Sequence, residues 1–304
     1  MKKLSIIVPC YNEGENVALF FDESKKSLDK IKYKKEFIFI NDGSKDNTIE
    51  ELKKLTKKNE NIKVINFSRN FGKEAAIYAG LKECTGDLAV LIDADLQQHP
   101  KLIIPMLDEI EKDSDLDIVA YYQEKRIENK FIGFCKSIFY KLINKITKLE
   151  FKDGASDFRL FKRNVIDTII NFSEHNRFQK GIFAFIGFKT KYLPYIPLER
   201  TNGETSWGFL KLVKYALGGI LSFTDAPLKL AKYLSIFEIL IAIIWTIILL
   251  VINSNIMYYL FPFLLLLFGL LSTCITAISV YLYRIYNESR RRPIYIIKEI
   301  IENE

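Results

Sequence analysis

Residues 88–100 read LAVLIDADLQQHP, and this stretch limits the possible folds more than any other. The apolar run 88–92 has the length of a buried strand; it stops at Asp93-Ala94-Asp95, ahead of a proline at position 100 that suits a first helical turn. Two carboxylates one residue apart repel each other unless a cation lies between them. Hard oxygen ligands of this kind favour Mg²⁺ or Mn²⁺ over Zn²⁺, and such an ion commonly accompanies a phosphate-bearing substrate. The same residues also suit a solvated turn capping the next helix. The choice depends on what surrounds them.

The surroundings repeat one pattern. Short apolar strands are expected at 4–8, 36–40, 62–67, 88–92 and 117–121, separated by helices at 15–31, 45–58, 73–84 and 100–112. In the first helix Val17, Phe20, Phe21, Leu28 and Ile31 share a face. Strands alternating with single helices give an α/β fold, a mostly parallel sheet covered on both faces. Ligands of such sheets bind beyond the carboxyl ends of the strands. Those ends here are Pro9-Cys10-Tyr11-Asn12-Glu13, Asn41-Asp42-Gly43-Ser44, Ser68-Arg69-Asn70-Phe71-Gly72-Lys73 and Asp93-Ala94-Asp95. Each alone reads as a turn, a helix start or a solvated surface. Together, with an acidic pair beside basic and glycine residues, they describe a pocket for a pyrophosphate-linked ligand. Neither GxxxxGK[ST] nor GxGxxG occurs, so neither a P-loop nor a dinucleotide fingerprint holds the phosphate.

Composition narrows the partners. At 304 residues with 49% hydrophobic, the chain has room for one large or two small domains. Its formal net charge of +7 would suit nucleic acid, but the aromatic-plus-arginine signatures of RNA-binding modules are missing, so no nucleic-acid partner is expected. Lysine-rich helices beside lipid account for the charge. Cys10, Cys84, Cys135 and Cys274 are scattered, which argues against a disulfide or metal framework and for a reducing compartment. The basic start, MKKLSIIVPCYNE, is too short in apolar residues for a signal-peptide core and reads as a first strand.

At the level of motifs, SIIVPCYNEGENV, FINDGSKDNT, NFSRNFGKEAAIYAGL and LIDADLQQHP resemble the inverting GT-A nucleotide-sugar glycosyltransferases, and more narrowly the polyprenyl-phosphate glycosyltransferases. The resemblance runs over nearly the whole chain. It implies that Pro9, Tyr11, Glu13 and Asp42, with Asn12 in the same loop, hold the nucleoside, that Gly72 and Lys73 lie near its phosphates, and that Asp93, Asp95 and Gln97 form a Mg²⁺ or Mn²⁺ site, with Asp93 also touching the donor and Asp95 catalytic through the metal. Gln98-His99-Pro100 stands where the family usually has Asp-Pro-Pro.

Beyond Tyr121 the periodicity changes. Over 130–149 a helical stripe of Phe131, Phe134, Ile138, Phe139, Leu142 and Ile146 is flanked by lysines, which suits an interfacial membrane helix or an amphipathic core helix. In 153–160, DGASDFRL, an extended backbone would point Asp157 and Arg159 to the same side. The resemblance makes Asp157 the base beside the acceptor. A phosphomonoester with a second pKa near ~6 is already largely dianionic at neutral pH, so Asp157 has little proton to remove and is expected to position the acceptor or its cation partner; a purely structural Asp–Arg pair is the other reading. Residues 180–198 read as a short sheet or hairpin rich in aromatic residues, and His175 as a surface residue of a polar loop. The segment 199–207, ERTNGETSW, resembles an Arg-x-x-Gly-Glu-Ser-Lys segment of the family and implies that Arg200 contacts a phosphate. Gln123 stands where the family has an arginine, and Thr205-Ser206 where it has Ser-Lys. Lys125, Arg126, Lys130 or Lys136, with Ser137 alongside, are the candidates to join Arg159 on the acceptor phosphate.

After a second basic amphipathic stretch, about 207–223, the segments 234–252 and 258–283 are each long enough to span a ~30 Å hydrocarbon core. Lys229 and Lys232 precede the pair and Arg284, Arg290, Arg291 and Arg292 follow it, whereas the linker 253–255 is uncharged. The positive-inside rule then puts both termini and the catalytic domain on the cytoplasmic side of the cytoplasmic membrane. Glu238 either snorkels to the interface or faces the second helix or a partner protomer. The expected organisation is a GT-A domain over 1–228, a two-helix membrane hairpin within 229–285, and a cytoplasmic tail over 286–304 in which 293–304 forms a short helix. The expected function is inverting transfer of one sugar, from UDP-glucose or UDP-N-acetylglucosamine, to polyprenyl (undecaprenyl) phosphate, with homo-oligomers forming through the membrane helices. A membrane transferase making glycolipid or polysaccharide, and a silent nucleotide-sugar-binding scaffold, are the alternatives.

Overall fold

A computed structural model of the chain describes residues 1–123, 144, 147, 149, 151–152, 154–172, 174, 177–196, 198, 226–252 and 257–303. The chain divides into two compact units, Met1–Tyr215 with Pro293–Glu304, and Ala216–Arg292.

The first unit is built on an eight-stranded sheet. Its strands are β1 (Lys3–Cys10), β2 (Lys34–Asn41), β3 (Ile62–Phe67), β4 (Leu88–Leu91), β5 (Ile118–Gln123), β6 (Ala155–Lys162), β7 (Thr190–Tyr195) and β8 (Ile297–Glu302), in the order β7-β5-β6-β4-β1-β2-β3-β8. Helices α1 (Val17–Ser27), α2 (Thr48–Lys58), α3 (Lys73–Glu83) and α4 (Ile103–Lys112) connect the first five strands, and α5 (Arg163–Ile170) and α6 (Gln179–Phe185) lie between β6 and β7. The alternation read from the sequence is therefore present, as is the predominantly parallel pairing of β1 with β2 and β4, β2 with β3, and β5 with β7.

Strand periodicity divides the core. Leu4, Ile6, Val8, Phe37, Phe39, Val64, Val90, Phe158 and Leu160 point to one face and pack with Val17, Phe20, Ile103 and Met106 of α1 and α4 in one buried cluster. On the other face α3 lies close to the sheet at Gly80: a methyl there would sit 2.3 Å from Ile7 Cγ2. That close approach sets the position of α3, and with it of Lys73 at its first turn.

Two expectations are corrected. The tail over 293–304 is not a helix: β8 pairs antiparallel with β3, Tyr295 stacks on Phe67 at 4.9 Å, and Ser68 N donates to Ile296 O at 3.0 Å. The isoleucines at 296, 297, 300 and 301 carry helical spacing, but the open edge of β3 offers a row of unpaired backbone groups that an extended segment satisfies. Residues 179–185 are helical rather than the first half of a hairpin, and only 190–195 is a strand. Both β6 and β8 run against their neighbours, so the sheet is mixed.

The second unit contains α7 (Ala226–Val251) and α8 (Met257–Ser289). Within them Ala231–Val251 and Leu266–Ser289 are long and apolar enough to cross a membrane, and many of their large apolar side chains are exposed. The helices are antiparallel neighbours: Ser235 Oγ lies 4.0 Å from Cys274 Sγ, and Glu238 faces α8 at Gly269, one of the orientations expected for it. The interfacial stretches at 130–149 and 207–223 fall largely or wholly outside the described residues.

Candidate functional site

The loops that follow β1, β2 and β3 are tied together by side chains accepting backbone N–H groups. Asn12, in a left-handed conformation (φ 56°), donates its N–H to Ser44 Oγ at 2.9 Å and accepts Lys45 N–H on Oδ1 at 2.9 Å. Glu13 N donates to Thr48 Oγ1 at 2.9 Å. Pro9 is the penultimate residue of β1, paired with Ile40, and Tyr11 beyond the strand is exposed. Asp42, 3% exposed, accepts from Phe71 N at 2.6 Å, Gly72 N at 2.9 Å and Asn70 Nδ2 at 2.9 Å. Burial pushes its carboxyl above the usual range despite those donors and nearby Arg69. Gly43 permits the crossing: it has φ 63°, and a Cβ there would meet Arg69 C at 2.3 Å.

A centre of charge follows. Gly72, with φ 98°, turns the chain into α3, so that Lys73 Nζ lies 2.7 Å from Asp93 Oδ1, 2.8 Å from Asp93 Oδ2 and 3.3 Å from Asp157 Oδ2. Burial disfavours the ammonium, yet Asp93 and Asp157 together hold its pKa above the ordinary lysine value. Burial likewise opposes the charge on Asp157; Lys73, Lys180 and Arg159 outweigh it and hold the carboxyl below the usual range. Asp157 is thus ionised at neutral pH without any group from outside the chain.

Asp95 lies one turn of loop further on, where Gln97 N donates to its Oδ1 at 3.1 Å and Leu96 takes φ 57°. A left-handed leucine costs about 1 kcal/mol, so the packing around this loop holds it in place. Asp93, Asp95 and the Gln97 amide offer oxygen donors only. No group of three or more His, Cys, Asp or Glu suited to a metal occurs among the described residues. A site with two carboxylates and an amide fits Mg²⁺ or Mn²⁺, which characteristically complete their shell with water and substrate phosphate, and does not fit Zn²⁺.

On β6, Arg159 is two residues from Asp157, in a stretch where the pairing with β5 shifts register. It is 4% exposed, with Nε donating to Ser156 O at 3.2 Å, Tyr192 as a further hydrogen-bond partner and the guanidinium 4.5 Å above the Phe183 ring. The remaining residues expected at the acceptor, Arg126, Lys136, Ser137 and Arg200, lie outside the described residues. Two polar residues here had no signal in the sequence. Gln98, at the position of the missing Asp-Pro-Pro, donates through Nε2 to Ser156 Oγ at 2.9 Å and ties the Asp95 loop to β6. Lys180 donates to Ala155 O at 3.2 Å; once 180–198 is read as strand, its direction cannot be inferred.

Residues 5–170 match the family described as Glycosyl transferase family 2. The chain is 39% identical over 303 residues to CsbB of Bacillus subtilis (strain 168), covering 97% of this chain and 91% of that one. It is 34% identical over 304 residues to a protein of Escherichia coli (strain K12) named prophage bactoprenol glucosyl transferase homolog, covering 98% and 99%. Among solved structures, mannosyl-3-phosphoglycerate synthase from Rubrobacter xylanophilus superposes with a TM-score of 0.51 at 15% identity over 71% of each chain, a likeness of fold.

Proposed function

The chain belongs to glycosyl transferase family 2 and has its GT-A fold, and from that membership we propose that it transfers one sugar from UDP-glucose or UDP-N-acetylglucosamine to polyprenyl phosphate, with inversion. The observation that carries this reading is the bridge from Lys73 to Asp93 and Asp157, which gathers three charged groups from three separate elements at the carboxyl end of the sheet. The name borne by the Escherichia coli relative supports a lipid-carrier acceptor.

In this reading the loops at Pro9, Tyr11, Asn12, Glu13 and Asp42 receive the nucleoside, and Gly72 and Lys73 face its diphosphate. Asp93, Asp95 and Gln97 would hold Mg²⁺ or Mn²⁺, which when bound offsets negative charge on the departing diphosphate. An oxygen of the acceptor phosphate forms a bond to the anomeric carbon from the side opposite the nucleotide; the bond from that carbon to the diphosphate oxygen breaks, and the nucleoside diphosphate leaves with its electrons. No proton need move, because the acceptor is already dianionic. Asp157, kept ionised by its three cations, orients the cationic groups around the acceptor. The apolar pair α7 and α8 spans the cytoplasmic membrane and keeps the lipid's head group near the sheet, with the catalytic unit on the cytoplasmic side.

The test is incubation of purified protein with polyprenyl phosphate, Mg²⁺ or Mn²⁺ and labelled nucleotide-sugars. A labelled, mild-acid-labile lipid that disappears with a chelator and in Asp95→Asn supports the proposal. Labelled polymer or alkali-labile glycolipid indicates the other transferase chemistry, and nucleotide-sugar binding without transfer indicates a silent scaffold.

A further inference from the structure

Three cations, Lys152, Arg159 and Lys180, line one small open cleft together with Phe151, Ala155 and Tyr192. Among the described residues no carboxylate lies within ion-pair distance of any of the three. Arg159 is 4% exposed, so water does not compensate its charge; the Phe183 face, the Ser156 carbonyl and Tyr192 do so only in part. Asp157 is the nearby acid; Lys73 is the strongest of the cations acting on it, Lys180 and Arg159 follow, and Lys73 also pairs with Asp93. Counted formally over Lys73, Lys152, Arg159 and Lys180 against Asp93 and Asp157, the cluster carries two positive charges in excess. The two left over equal the charge of about −2 on a phosphomonoester at neutral pH. The aromatic and methyl walls of the cleft suit a phosphate that carries an apolar chain, whereas a free nucleoside diphosphate would gain nothing from them.

The cleft also answers a gap in the sequence. Gln123, at the end of β5 where the family resemblance calls for an arginine, carries no charge and is held by its own N–H to Gly154 O at 3.0 Å. We propose that Lys152 and Lys180, with Arg159, form the subsite for the acceptor's phosphate, the two lysines supplying the charge that Gln123 lacks. The assignment rests on the lipid-phosphate acceptor proposed above and extends it to residues outside the recognisable motifs. Arg159 is fixed by its packing and presents a planar donor; the lysines bring mobile point charges to the other phosphate oxygens.

The test uses the full chain in detergent or nanodiscs, comparing Lys180→Met, Lys152→Met, the double variant and Lys180→Arg. Four quantities are read: KM for polyprenyl phosphate, KM for the nucleotide-sugar, the slow hydrolysis of the donor without acceptor, and the Kd for farnesyl phosphate against farnesol. Lys180→Met is expected to raise the acceptor KM and the farnesyl phosphate Kd by about tenfold, and the double variant by about a hundredfold. Donor KM stays within about twofold, farnesol binding is unaffected, and Lys180→Arg restores most of the loss, while the slow hydrolysis reports any effect that Lys180 exerts through Asp157. An acceptor KM and farnesyl phosphate Kd unchanged in the double variant overturn the proposal, as does an equal rise in donor KM, which would assign the lysines to the diphosphate. Should Lys180→Met unfold, Lys152→Met and Lys180→Arg decide by the same criteria. If the wild type transfers no sugar to polyprenyl phosphate, the function proposed above fails on its own; lysine-dependent binding of farnesyl phosphate would still support the subsite, and its absence would overturn it.

Discussion

Lys73 Nζ lies 3.3 Å from Asp157 Oδ2, so the first turn of α3 and the strand β6 meet in an ion pair at the carboxyl end of the sheet. Lys73→Met keeps the stem but removes the charge that links Asp157 to Asp93. Asp157 is held below the ordinary carboxylate range partly by Lys73, so its pKa rises in the variant. Activity that requires the ionised form is lost as pH falls through that value. The acid limb of the pH–rate profile therefore moves to higher pH, and turnover at pH 7 falls by about a hundredfold. A profile that superposes on the wild type would contradict this role.

Asp42→Asn should separate loop order from overall folding. The aspartate accepts both Phe71 N–H and Gly72 N–H; asparagine keeps one carbonyl oxygen and turns an NH₂ toward the other amide. The expected loss is about 1–3 kcal/mol of stability. The donor KM should rise by about tenfold while the acceptor KM is unchanged, since the loop carrying Gly72 and Lys73 shifts. Thermal melting and steady-state kinetics check both.

Glu36 gives a prediction in pH. Its carboxylate accepts from Ser5 Oγ, Lys3 Nζ, and Thr85 N and Oγ1, the last two at 2.8 Å, which fastens β1 and β2 to the turn before β4. Burial acts to raise its pKa, but these donors prevail and hold it below its ordinary value of 4.5. A depressed native pKa contributes stability above the ordinary value, and that contribution is lost as pH falls through the native one. Glu36→Gln should cost about 1–2 kcal/mol at pH 7 and flatten the acid side of the melting-temperature curve. Scans from neutral to acidic pH would show the two curves converging at low pH.

Asn66→Ala tests a hydrogen-bond chain across the sheet. Asn66 donates to Glu299 Oε1 of β8 at 2.9 Å and accepts from Asn41 Nδ2 at 2.9 Å; Asn41 in turn accepts from Ser44 Oγ at 2.5 Å, and Ser44 accepts from Asn12 N. Alanine leaves the buried Asn41 amide without its acceptor. Stability should fall by about 1–3 kcal/mol and donor KM rise by about threefold, with acceptor KM unaffected. An unchanged donor KM would show that the chain of bonds does not reach the Asn12 loop.

The parts legible in the sequence are those set by local patterns. Residues 62–67 match the observed β3, and 88–92 matches β4 to within a residue, because an apolar run between turn formers has few other solutions. Strand direction is not local: nothing in ASDFRLFK tells β6 to run against β4 and β5. The seven residues of α6 are too few to display a helical period, and β8 has a helical spacing that an available sheet edge overrides. At the site, the acidic pair and the glycine-bearing loops could be recognised, but the pairing of Lys73 with Asp157 could not, since it joins residues far apart in sequence. Lys180 became visible only with the direction of α6.

β8 hydrogen-bonds to β3, so the last residues of the chain return to the same sheet from which it set out. A polypeptide that departs from one body and rejoins it can cross a barrier in between only an even number of times. Two apolar helices satisfy that parity, and one or three would not. In the membrane topology proposed above, the closing strand acts as a topological clasp: the sidedness of the helices follows from where this sheet folds, and a fusion placed after Glu304 is expected to report the same compartment as one placed before Met1.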